Sequence, residues 1–170
     1  VSEIISNGII PAGMEMMDKE LIHATDNFVK AGYPRNVEAM LIVELDGTDL
    51  DVTELMENVN KIAKKNKATS IKISKNEKER LKFWAGRKAA FPACGDMAPD
   101  YYCMDGTIPR GKLVEVLKEI KRLSKKYNLP VANAFHAGDG NLHPLIMYDS
   151  NDKKALEKTE KFGAEILKYC

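Results

Sequence analysis

Two of the chain's three histidines, His136 and His143, bracket the stretch HAGDGNLH. Near neutral pH an imidazole can move a proton, pair with a carboxylate or ligate a divalent metal. Which of these applies depends on where the backbone puts the two rings. Asp139-Gly140 between apolar runs is a strong hairpin signal, because a two-residue turn needs positive φ at both central positions. With those residues as the turn, Gly138 faces Asn141 and His136 faces His143. Directly opposed side chains share a face, with Cβ atoms roughly 4.5–5.5 Å apart. Pro144 then falls opposite Phe135, a non-hydrogen-bonded position where its missing N–H costs the ladder nothing. Rings so placed either ligate one divalent cation, at about 2.0–2.1 Å per bond, or form an exposed polar pair without metal. The spacing supports the two equally. A metal site needs a third ligand, and none stands out: Asp139 points away from the turn, and nothing in the spacing selects Asp105.

Arg87 is the other residue whose type invites chemistry. Its guanidinium is a planar fork that binds a carboxylate bidentately, which lysine cannot do. With Lys88 beside it on a helix, Arg87 taken alone reads as part of a solvated face. Trp84, one turn earlier, reads as core rather than as a ring-stacking group. His23 sits off the apolar stripe of its helix and reads as surface. Met14, Met16 and Met17 read as helix packing, and Cys94 and Cys103 as packed or idle thiols.

The elements that must position these side chains follow from periodicity. Met14, Met17, Leu21, Ala24 and Phe28 recur at helical spacing, predicting a helix over 14–31 that Gly32 and Pro34 stop. The apolar run at 38–47 suits a buried strand. Val52, Leu55, Val59, Ile62 and Ala63 mark a second helix, and TSIKIS (69–74) alternates like a half-buried strand. A third helix is predicted over 76–90 and a short strand over 101–104. Pro109 suits the first turn of a helix faced by Leu113, Leu117, Ile120 and Leu123. Strands at 130–135 and 145–148 flank the histidine motif, and a last helix covers 152–169. One strand pair is a hairpin, so the expected architecture is an α+β sandwich, an antiparallel sheet covered on one face by helices, rather than a doubly wound parallel sheet.

Composition narrows the function classes. The chain has 170 residues, 44% hydrophobic and 30% charged, with a formal net charge of +1. That is enough for one domain with a real core, and it carries no basic footprint for nucleic acid. The longest apolar run, Ala39–Val43, is too short to span a bilayer. Three cysteines, Cys94, Cys103 and Cys170, form no metal-type pair and no disulfide framework, which points to a reducing cytoplasm. A first residue other than Met, and a last helix that stops in mid-pattern, suggest a fragment.

HAGDGNLHP (136–144), WAGRKAAFPACGDMAPDYYCMDGTIPR (84–110) and IIPAGMEMMD (9–18) together resemble the C-terminal, or cap, domain of FAD-linked 2-hydroxy-acid oxidoreductases. That family includes glycolate oxidase flavoprotein subunits and D-lactate dehydrogenases of the vanillyl-alcohol-oxidase type. The likeness runs nearly the whole chain, in order. It implies a ferredoxin-like α+β cap over 1–170, closing on FAD that an upstream domain of the same protein holds. It implies further that His136 and His143 ligate a divalent metal such as zinc, that Arg87 binds the substrate carboxylate, and that Asn141 lines the pocket toward the cofactor. In such enzymes the metal polarises the 2-hydroxyl, a base takes its proton, and hydride passes to the flavin. The family's Glu-His-Gly segment, with a carboxylate ligand and a base, is expected shortly after Cys170. No catalytic base is therefore assigned within the chain, which is expected to be inactive alone. The resemblance also implies an iron–sulfur electron-transfer partner, with any membrane association coming through partners. The alternatives are a freestanding small-molecule-binding or regulatory module and a self-sufficient metal hydrolase built on the two histidines.

Overall fold

The computed structural model describes all 170 residues. A short helix, α1 (Ser2–Ser6), leads into β1 (Gly13–Asp18). The expected helix over 14–31 thus starts late. Met14 and Met16 enter one core and Met17 the other, the two-sided division that a strand imposes. The methionines looked helical because α2 (Lys19–Val29) follows without a break. Asp18 caps it, accepting from the Leu21 N–H at 3.0 Å. Leu21, Ile22 and Ala24 are buried, while Phe28 is exposed.

β2 (Ala39–Glu44) pairs antiparallel with β1 at the sheet edge, and only Ile42 on it is buried, so this run is not the buried strand expected. Thr48 and Asp51 form a capping box for α3 (Asp49–Lys65). Residues 69–74 form no strand; Ile71 and Ile73 are 40% and 45% exposed. Alternation makes a strand only where an edge pairs with it, and here none does. α4 (Glu77–Lys88), capped by Asn76, leads into α5 (Ala90–Ala93). Then come β3 (Asp100–Cys103), β4 (Gly106–Thr107) and, after a single 3₁₀ turn at Arg110–Lys112, α6 (Leu113–Tyr127). The hairpin strands β5 (Val131–His136) and β6 (Asn141–Tyr148) and the final α7 (Lys153–Tyr169) complete the chain.

The strand order is β2-β1-β5-β6-β3, with β4 also on β6, and every pairing is antiparallel. The α+β sandwich stands, but helices cover both faces rather than one. On the first, α6 and α7 bury Phe135, Leu142, Ile146 and Phe162. On the second, α2, α4 and α5 close over Met17, Ala132, Ala134, Leu145 and Met147. The small side chains of Ala132 and Ala134 let α2 approach β5 closely. No helix is long and apolar enough to cross a membrane.

Candidate functional site

The hairpin turns differently from the expected two-residue form. Its loop is the four residues 137–140, and His136 pairs with Asn141. Only Gly140 has positive φ, at 74°; Asp139 does not, so a turn with two positive-φ residues is not made. Other segments hold this longer loop. The Gly138 N–H donates to the Met14 carbonyl at 3.1 Å, and the Ile108 N–H to the Gly140 carbonyl at 2.9 Å. A Cβ on residue 140 would sit 2.2 Å from the Ile108 carbonyl oxygen, so both φ and space demand glycine there.

His143 consequently lies opposite Ala134, not His136, and Pro144 opposite Asn133, not Phe135. The register has slipped by two residues, an even number, so both imidazoles stay on the same face of the sheet. They are diagonal neighbours with ring centroids 5.1 Å apart and planes at 90°.

Sequence reasoning missed the residue that sits among them. Glu15 on β1 is directly opposite His136 on β5. Its Oε1 is 2.7 Å from His136 Nδ1. Its Oε2 accepts from Arg87 Nε at 2.9 Å and forms an ion pair with Nη2, also at 2.9 Å. Glu15 and Arg87 are nearly enclosed, with side chains 12% and 11% exposed, while the His136 side chain is 43% exposed. The row Arg87–Glu15–His136–His143 therefore runs from a buried ion pair to an accessible imidazole pair. The polar Glu15 between Met14 and Met16 was the available signal. It selects a face only once 13–18 is read as a strand.

Helix α4 brings Arg87 to this row because two contacts fix its height over the sheet. Trp84 packs over Gly13, its ring atoms 3.2–3.4 Å from where a Cβ would stand. Tyr33 donates its hydroxyl hydrogen to the Phe83 carbonyl at 2.5 Å and accepts from the Gly86 N–H at 2.8 Å. Asp26 in turn holds Tyr33, accepting the backbone N–H groups of Gly32 and Tyr33 at 2.7 and 3.0 Å. Arg87 is thus not on a solvated face.

Asn141 joins the site from the strand position opposite His136, and its Oδ1 is buried with no hydrogen-bond partner. Asp105 and Asp139 are exposed and take no part. No group of three or more His, Cys, Asp or Glu side chains is arranged to hold a metal ion, and the Glu15 carboxylate is engaged by His136 Nδ1 and Arg87. The two imidazoles fit as a partial ligand set only. His23 is tied by Nε2 to the Arg35 carbonyl at 2.7 Å and makes no hydrogen bond to any of these residues. Burial pushes the Cys94 thiol up to about 11 and also raises Cys103 and Cys170, away from the thiolate form that reacts.

Over residues 1–170 the chain matches the family described as FAD linked oxidases, C-terminal domain. It is 55% identical over its whole length to the glycolate oxidase subunit GlcD of Escherichia coli K12, of which it covers 34%. It is 34% identical, over 98% of its length, to the GlcD subunit of Bacillus subtilis, covering 36% of that protein. It is 26% identical to a probable mitochondrial D-lactate dehydrogenase of Danio rerio, covering 33%. The chain therefore spans about a third of the curated relatives it matches. Among solved structures, a 4-ethylphenol oxidase from Gulosibacter chungangensis in complex with isoeugenol shares the fold at TM-score 0.60 and 11% identity. That match covers 92% of this chain and 37% of the oxidase.

Proposed function

The chain belongs to the family of C-terminal domains of FAD-linked oxidases, and on that premise we propose that it forms the substrate side of a flavoprotein oxidising a small 2-hydroxy acid, glycolate or D-lactate, to the 2-oxo acid. In this proposal the protein also contains an FAD-binding domain preceding these residues and a Glu-His-Gly segment following them. The observation that carries the proposal is the row of side chains at the hairpin end of the sheet, an arginine fork and an imidazole pair joined by one glutamate.

Each residue of the row has a distinct task. Arg87 keeps N–H groups free of Glu15 and offers them to the substrate carboxylate, a charge-assisted contact. His136, with Nδ1 turned to Glu15, has Nε2 left for a ligand, and His143 stands beside it. Together they hold a divalent cation such as zinc, which, when bound, supplies positive charge next to the substrate hydroxyl. The buried, unpartnered Asn141 Oδ1 is an acceptor awaiting a donor from substrate or flavin. FAD supplies the two-electron acceptor chemistry. An iron–sulfur partner would then take the electrons onward, in the cytoplasm.

The test is Arg87→Lys in the intact flavoprotein. Losing a bidentate charged contact worth on the order of 1.5–3 kcal/mol should lower kcat/KM for the 2-hydroxy acid at least about tenfold. Anaerobic bleaching of the flavin absorbance by glycolate and by D-lactate would identify the substrate. Unchanged kcat/KM in the variant, or no bleaching by either acid, would overturn the proposal.

A further inference from the structure

We propose that Glu15 is the positioning residue of this site, a single carboxylate that orients the imidazole of His136 through one oxygen and the guanidinium of Arg87 through the other. The inference rests on the function proposed above and assigns a part to a residue which that function does not require. Three observations support it. The division of contacts is complete, with Oε1 on His136 Nδ1 at 2.7 Å and Oε2 on Arg87 Nε and Nη2 at 2.9 Å. Both contacts are made to one carboxylate, so any rotation of the Glu15 side chain would disturb both partners together. The backbone also fixes the pair, because Glu15 and His136 are directly opposed across β1 and β5.

The chemistry on each side is specific. When the His136 ring is neutral, giving its Nδ1 hydrogen to Glu15 leaves the lone pair on Nε2. That is the usual second partner of an imidazole that ligates a metal, and removing it typically weakens the metal 10–100-fold. Of the five N–H donors of Arg87, Glu15 engages the Nε edge, leaving the far side of the fork for a substrate carboxylate. The near enclosure of Glu15 and Arg87, 12% and 11% exposed, shields this pair from water. One residue thereby sets the spacing between the anchor for the acid's carboxylate and the nitrogen that faces the cation.

Glu15→Gln in the intact flavoprotein separates this from a merely structural role. Glutamine has the same shape but one acceptor oxygen, so it cannot accept from both partners. Zinc titrated into the metal-free protein should bind about 10–100-fold more weakly. KM for the 2-hydroxy acid should rise at least about tenfold. Parental zinc affinity and KM in Glu15→Gln would overturn the inference, whatever the melting temperature. If that variant does not fold, Glu15→Asp keeps the charge but falls one methylene short of reaching both partners. The same losses are expected of it, and parental values would overturn the inference. His143→Ala and Arg87→Lys serve as references. If both are damaged while the Glu15 variants are not, the positioning role fails and the proposed function stands. If both behave as the parent, the two fall together.

Discussion

At the scale of single residues, the histidine pair was legible and its partner was not. His136 and His143 share a face because the real register differs from the expected one by two, and only an odd slip would have parted them. Glu15 was hidden because Met14, Met17 and Leu21 keep a helical beat across what is in fact a strand boundary. Arg87 read alone as a surface charge, since nothing local announces a carboxylate that lies 72 residues away in the chain. The imidazole pair carries its own prediction. Zinc titrated calorimetrically into the purified chain should bind weakly, in the micromolar range or worse, because two neutral ligands provide no charge neutralisation. His143→Ala should abolish that binding and leave the circular dichroism spectrum unchanged, the ring lying at a partly open hairpin end. Equal affinity in both proteins would mean the rings are not ligands.

At the scale of elements, the long periodic helices and the hairpin strands were readable because period and length agreed. The apolar run at 38–47 gave no sign of lying at an edge, and TSIKIS alternates without a partner. Strand status is decided by neighbours that the local sequence does not contain. Nor does sequence show how high α4 rides over the sheet, which Tyr33 decides. A Cβ on Gly86 would stand 2.2 Å from Tyr33 Cε2 and 2.7 Å from its hydroxyl oxygen. Gly86→Ala gains roughly 1 kcal/mol of helix propensity, against about 1–3 kcal/mol for overpacking and the disturbance of two hydrogen bonds at about 1 kcal/mol each. The clash wins. We expect a net loss of about 2–4 kcal/mol in denaturant unfolding, together with a raised KM in the intact flavoprotein as Arg87 is displaced. A variant as stable as the parent, with unchanged KM, would show that α4 is not held by this contact.

At the scale of the whole molecule, the larger core lies on the face without the site and contains Phe135 and Phe162. One buried carboxyl makes global stability depend on pH. Burial pushes Asp18 up from 3.8 to about 6, despite its hydrogen bonds from Asn133 and the Leu21 N–H. Between those two values the folded chain binds a proton that the unfolded chain releases, so stability falls as pH rises through the window and levels off above it. The span corresponds to roughly 2–3 kcal/mol. Asp18→Asn keeps the helix cap and removes the titrating group, and its new Nδ2 donor pairs with Asn133 once the Asn133 amide turns over to present its Oδ1. Its stability relative to the parent should therefore climb from pH 4 to pH 6.5, measured as denaturant midpoints; a difference that stays flat would refute the burial of a charged Asp18. The glutamate row has a consequence in time as well as in space. Its contacts join residues 72 and 121 positions apart in the chain, and links that long close late because their loop entropy must be met first. The row comes into being only when β1 has found β5 and α4 has docked, so the link from imidazole to guanidinium is among the last features the fold completes, although the two imidazoles meet as soon as their own hairpin closes.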